Sequence, residues 1–160
     1  ACYSINTILN FKIRLIVTTS AMPDKSLIIR KQTEILSQLK NLKKIVKLSQ
    51  KELLSDIPLL YYAERVMERL VSAAIDINYH IVTDITGKSP DDYYSSFMEL
   101  ARHGLISRRL SEKIAPSTGL RNILIHEYQE INYKIFYNSL AIALSAYNAY
   151  AKAIQKYIDR

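Results

Sequence analysis

Turn-formers are scarce in this 160-residue chain, which has three glycines and four prolines. So few leave little material for a turn-rich β architecture. One cysteine, Cys2, excludes a disulfide framework within the chain and any zinc site built on cysteine. His80, His103 and His126 show no H-x-x-x-H spacing, so neither a metal site nor a cofactor is expected. No apolar run approaches the roughly 20 residues that span a bilayer. The most hydrophobic early stretch, Ile5 to Val17, is interrupted by Lys12 and Arg14 and makes a poor signal peptide. The expectation is a reduced, cytoplasmic protein without membrane association.

What is present favours helices: Leu, Ile, Lys, Glu, Ala and Arg dominate. The length suits one domain with a real core. The chain starts with Ala, whereas Met22 stands just before a clean helix start. Residues 1–21 are therefore expected to be an extension, non-native or disordered, and residues 22–160 the single domain. A net charge of +7, from 22 basic and 15 acidic residues, suits RNA or an acidic protein surface, and equally a plain basic exterior.

Apolar periodicity outlines the helices. Ile28, Ile35, Leu42 and Ser49 share one heptad position and Gln32, Leu39, Val46 and Leu53 another, predicting one stripe about seven turns long. Lys40, Lys43, Lys44, Lys47 and Lys51 lie off that stripe, as a solvated face or an RNA contact. Asp56 can cap a second helix with Pro58 in its first turn, an inner face from Leu59 through Ala63, Val66, Leu70, Ala74, Ile77 and Ile81 to Ile85, and Gly87 past its end. Ser89-Pro90-Asp91-Asp92 predicts the cap, first-turn proline and acids of a short third helix ending near Gly104. Ser107 opens a fourth segment that Pro116 should break near Ala115. Asn132 caps the last helix, with Ile131 and Phe136 as a hydrophobic staple and Ile135, Ile142, Tyr147, Tyr150, Ala151 and Ile154 for packing. Short connections between long helices predict an all-α, up-down antiparallel bundle of four to five helices.

One segment breaks the apolar rhythm with chemistry: Arg121-Asn122-Ile123-Leu124-Ile125-His126-Glu127-Tyr128. Leu120, Ile123, Leu124 and Ile125 would hold it to the core. Cleaving RNA without a metal needs a proton acceptor for the 2′-hydroxyl, a proton donor for the leaving 5′-oxygen, and positive charge on the phosphorane-like intermediate. Histidine titrates near neutrality and can take either proton role. Arginine supplies a permanent charge and a planar fork for phosphate oxygens. Five residues on an ideal helix is about 140° of rotation, so Arg121 must curl round to meet His126. The helix should fray at Glu127 and leave Tyr128 at its mouth. On chemistry alone this is a candidate site.

The segment resembles the R-x4-H-x-Y signature of HEPN toxins in the HepT-like family, down to the asparagine after the arginine. The stretch from Glu68 to Ile81 is similar to that family's second helix in its acid, Asp and His pattern, and residues 93–106, with Phe97, Leu100, Gly104 and Ile106, to its short third helix. The similarity spans about residues 25–158. It implies a helical bundle that forms a homodimer with two motif copies near a shared cleft. It further implies a metal-independent endoribonuclease of a type VII-like toxin–antitoxin pair, with Arg121 and His126 as the catalytic pair on an RNA substrate. The implied partner is an MNT-type nucleotidyltransferase antitoxin that transfers AMP from ATP to Tyr128. Bulk and negative charge there would block the phosphate site beside Arg121. Asn122 fits an orienting hydrogen-bonder. Asp76 and His80, four apart on one face, fit either an interior polar pair or support in which Asp76 orients Arg121 or His126. His103, beside Gly104, looks like a helix-end residue. Two alternatives stand beside the nuclease: a catalytically silent HEPN module that binds the nucleotidyltransferase, and a helical adaptor that binds RNA without cutting it.

Overall fold

The computed structural model describes residues 25–126 and 131–160. The expected extension over residues 1–21 lies outside them. Among the described residues the chain forms seven helices and no strand: α1 (Lys25–Ile45), α2 (Gln50–Ser55), α3 (Ile57–Thr86), α4 (Tyr93–Arg102), α5 (Arg108–Ile114), α6 (Ser117–His126) and α7 (Tyr133–Ile158). The all-α bundle predicted from periodicity is the one that forms. Cross-links fix the directions of the long helices. Lys25 Nζ donates to the Ile158 carbonyl at 3.0 Å and Gln32 Nε2 to that of Ala151 at 2.8 Å, so α1 and α7 are antiparallel. Lys31 meets Asp76 and Arg69 meets Glu34, both at 2.8 Å, so α1 is antiparallel to α3 as well.

Most helix starts lie where local chemistry puts them. The side chains of Asp56, Ser107 and Asn132 accept from Leu59 N, Leu110 N and Ile135 N at 3.0, 3.2 and 3.1 Å. Each satisfies a donor that the helix itself leaves open, worth about 1 kcal/mol. Gly87 ends α3 at φ 72°, a left-handed conformation that glycine adopts without a Cβ penalty. Pro116 separates α5 from α6 as expected. Ile131 and Phe136, the predicted staple, both pack on the core.

Three expectations need correction. The single stripe through Ser49 and Leu53 is broken after Ile45, because Ser49 forms a capping box with Glu52 and starts α2 instead. The cap of α4 is Asp92, whose carboxylate accepts from Ser95 N at 2.6 Å, and not Ser89. Ile85, Ile135 and Ile142 are 45%, 67% and 53% exposed and leave the core to their neighbours. Ile135 and Ile142 instead line an apolar hollow of about 460 Å³ against Leu120 and Ile123 of α6.

The core runs along α3, where Leu70, Ala74, Ile77 and Ile81 are fully buried with Ile28, Ile35 and Leu42 of α1 and Tyr147, Tyr150 and Ile154 of α7. A polar network sits inside it. Asn78 is fully buried; its amide donates to Ser96 Oγ at 3.1 Å, and its carbonyl accepts the Tyr150 hydroxyl at 2.7 Å. That hydroxyl also reaches the Ala74 carbonyl at 3.2 Å. Ser96 in turn donates to the Tyr93 carbonyl at 2.7 Å. The network joins α3, α4 and α7 with each buried polar group partnered, as a low-dielectric interior requires.

Tyr150→Phe keeps the ring and strands the Asn78 carbonyl oxygen. Urea denaturation should show a loss of about 1–3 kcal/mol, the penalty for a buried unpaired acceptor. A second prediction concerns Glu64 on α3, whose carboxyl is raised above the ordinary range by burial and lowered less by its hydrogen bond with Tyr133. Its Oε1 is buried without a hydrogen-bond partner among the described residues. A carboxyl raised on folding binds its proton more tightly folded than unfolded, so stability falls as pH climbs through that window. Thermal melts upward from about pH 4.3, the ordinary glutamate value, should show this loss in the parent and not in Glu64→Gln.

Candidate active site

The motif helix is held at its start. The Ser117 hydroxyl, at the first residue of α6, donates to the Ile114 carbonyl at 2.6 Å and lies 2.7 Å from the Tyr147 hydroxyl of α7. Burial pushes the Tyr147 phenol well above its usual value, so it stays protonated. One turn later comes Arg121. Its Nε donates to Ser72 Oγ on α3 at 3.2 Å and its Nη1 to Asn122 Oδ1 at 3.3 Å. The guanidinium carbon stands 5.0 Å from the centre of the Tyr93 ring at the start of α4. A cation on an aromatic face at a partly exposed site is worth about 0.5–1 kcal/mol.

All these partners are neutral, and among the described residues no carboxylate pairs with Arg121. Arg65, Arg69, Arg102 and Arg108 contrast with it, each paired to a glutamate. A guanidinium fixed by a hydroxyl, an amide and a ring keeps its whole charge for an incoming anion.

Arg121 borders a groove of about 530 Å³. One wall is a polar stripe on α3 made of Ser72, Asp76, Tyr79, His80 and Thr83; Tyr93 and Ser89 close the other side. Asp76 takes Lys31 of α1 at 2.8 Å, and His80 Nε2 lies 3.5 Å from Asp84 Oδ2. Asp76 is exposed and not interior, and its carboxylate meets the lysine of the neighbouring helix. Asp76 still lines the groove that Arg121 borders.

His126 is the last residue of α6 and is exposed. The helix stays regular through it, so His126 lies about 140° round and about 7.5 Å along from Arg121. The arginine does not curl toward it; its guanidinium rests on Tyr93, and His126 is not among the residues lining the groove. Asn122 is exposed and accepts from Arg121. His103 ends α4 with its Nε2 3.7 Å from Glu99. Glu127, where the helix was expected to fray, and Tyr128 lie outside the described residues. The motif reading missed Ser72, Tyr79 and Tyr93. A signal existed for the first two: Ser72, Asp76, Tyr79, His80 and Thr83 recur at helical spacing in a segment that is otherwise apolar. Tyr93 comes from another helix, and nothing local marks it.

The family model for ribonuclease HepT-like proteins matches residues 35–154. The chain belongs to the HepT-like family. It is 33% identical over 132 residues to the tRNA nuclease HepT of Aphanizomenon flos-aquae (strain 2012/KM1/D3), covering 82% of this chain and 90% of that one. It is 39% identical over 69 residues to the mRNA nuclease HepT of Shewanella oneidensis, covering 43% of this chain and 52% of that protein. Among solved structures, the tri-AMPylated HEPN toxin of Shewanella oneidensis in complex with MNT antitoxin superposes with a TM-score of 0.73 at 29% identity, over 84% of this chain and 99% of that one. The HepT-like resemblance read from Arg121 to Tyr128 is therefore borne out at the level of the family, and the expected enzyme class agrees with both named nucleases.

The clamp on Arg121 is measurable. Held by Ser72, its Nε–H should give a sharp, slowly exchanging signal in arginine-selective ¹⁵N NMR. Ser72→Ala should broaden or erase that signal while the amide spectrum stays folded. An unchanged signal would mean that the hydroxyl does not hold the side chain.

Proposed function

We propose that this chain is the toxin of a toxin–antitoxin pair, a metal-independent endoribonuclease that uses Arg121 and His126 on RNA. The observation that carries it is a guanidinium fixed by neutral partners at a groove, five residues before an exposed histidine on the same helix. In this reading one imidazole accepts the 2′-hydroxyl proton as the 2′-oxygen attacks phosphorus. The bond to the 5′-oxygen breaks, the leaving oxygen takes a proton from a protonated motif imidazole, and Arg121 balances the charge that gathers on the phosphoryl oxygens. The products are a 2′,3′-cyclic phosphate and a 5′-hydroxyl. One helix holds the two groups apart, so the homodimer implied by the resemblance matters: two motif copies at one cleft let an arginine and a histidine flank one phosphate.

The partner in this reading is an MNT-type nucleotidyltransferase antitoxin, which neutralises the toxin by AMP transfer to Tyr128. The similarity to a HEPN toxin seen with its MNT antitoxin supports that partner. A catalytically silent module is less well supported, because the helix break at Pro116 ends before Arg121: α6 restarts at Ser117 and runs to His126.

Purified protein should cut single-stranded RNA in the presence of EDTA. His126→Ala should lower the rate about 10²–10⁴-fold, the usual contribution of a general acid–base group, with the helical circular dichroism retained. Undiminished cutting by that variant would refute the assignment. Co-expressed with its nucleotidyltransferase, the parent should gain whole AMP residues by intact mass and Tyr128→Phe should gain none.

A further inference from the structure

We propose that the groove beside Arg121 is a subsite for one unpaired nucleotide of an RNA strand, with its phosphate on Arg121 and its base against Tyr79 and Tyr93. The inference rests on the ribonuclease reading and deepens it. At about 530 Å³ the groove lies within the usual range of small-ligand pockets, about 300–1,000 Å³. It has three kinds of lining, each suited to one part of a nucleotide.

Arg121 is the cation at one end, and its charge is not taken by any carboxylate among the described residues. Tyr79 and Tyr93 meet edge to face, with ring centres 5.9 Å apart and planes at 69°. Such a corner offers an aromatic surface to a base that has left its stack, the usual means of holding single-stranded RNA. Hydroxyls of Ser72, Thr83 and Ser89 line the same groove, as do the carboxylates of Asp76 and Asp84.

The carboxylates set the orientation. Asp76 is held by Lys31 and Asp84 faces His80, which keeps both acids in place with lone pairs left over. They repel a phosphate and accept N–H groups, so the phosphate belongs at the arginine and the base edge at the acids. A base with an exocyclic amine satisfies them. Uracil, with two carbonyl oxygens on its edge, does so poorly. A paired base has its amine already engaged, so the subsite selects unpaired strands.

The test is anisotropy of fluorescein-labelled oligo(A), oligo(C) and oligo(U), with an A-form duplex of equal length, on His126→Ala protein so that nothing is cut. The expected result is tighter binding of oligo(A) and oligo(C) than of oligo(U) or the duplex. Thr83→Trp, which fills the groove from an exposed position, and Tyr79→Ala should each weaken oligo(A) binding about tenfold or more and erase the base preference. Tyr94→Ala, an exposed neighbour outside the groove, should bind as the parent does. Equal binding of oligo(A) and oligo(U), or full binding by Thr83→Trp, would overturn the subsite. These outcomes are independent of cleavage: a parent that shows the preference but never cuts would remove the ribonuclease reading and leave the subsite standing.

Discussion

The buried amide of Asn78 is the constraint on which the rest of the molecule depends. It lies fully buried in the last third of the longest described helix, where any unmet hydrogen bond is expensive. It is satisfied by Tyr150 of α7 on its oxygen and Ser96 of α4 on its nitrogen. Apolar packing alone tolerates small slides of one helix along another, whereas a donor and acceptor at fixed distances do not. The same network ends on the Tyr93 carbonyl, through Ser96. The residue that sets the helix register therefore also sets the aromatic platform on which Arg121 lies.

A second polar contact does the same for the motif helix. The hydroxyls of Tyr147 and Ser117 meet at 2.7 Å, and burial keeps that phenol protonated. Tyr147 and Tyr150 are three residues apart on α7, with ring centres 6.1 Å apart. One stretch of α7 thus places both sides of the site: Tyr150 fixes α4 and its Tyr93, and Tyr147 fixes α6 and its Arg121. Neither tyrosine touches the groove, yet a shift at either would displace the arginine from its ring.

Helix boundaries were legible in the sequence wherever the signal was short-ranged. Asp56, Gly87, Ser107, Pro116 and Asn132 act within a turn or two of where they stand, and each does what its chemistry predicts. Errors arose where two local signals competed. Ser49 fits a heptad position and also opens a Ser-x-x-Glu box; the box prevails because it satisfies two backbone donors, and a serine in an apolar stripe satisfies none. Ser89 and Asp92 both suit a cap, and the later one is used. The candidate site was half legible. Arg121, Asn122 and His126 were visible as a pattern, but the arginine's partners Ser72 and Tyr93 come from α3 and α4, and their meeting is a product of packing. Asp76 was picked out as support for the motif, but its partner Lys31 was not, because Lys31 lies on a different helix and periodicity carries no information about cross-helix charge.

That partner changes what the groove can do. An unpaired Asp76 beside Arg121 would draw the guanidinium to itself and cancel its charge. Lys31 prevents this: its own pKa is raised, chiefly by the hydrogen bond with Asp76, so it stays a cation well past neutrality and holds the carboxylate. Glu34 beside Lys31 is in turn held by Arg69. Acids and bases on the α1–α3 seam thus neutralise one another, and Arg121 is left to rest on a ring and two neutral oxygens. Helix α1, which brings no residue of the motif, thereby governs the motif's charge. Its apolar side seals the core, and its basic side holds Asp76 away from Arg121.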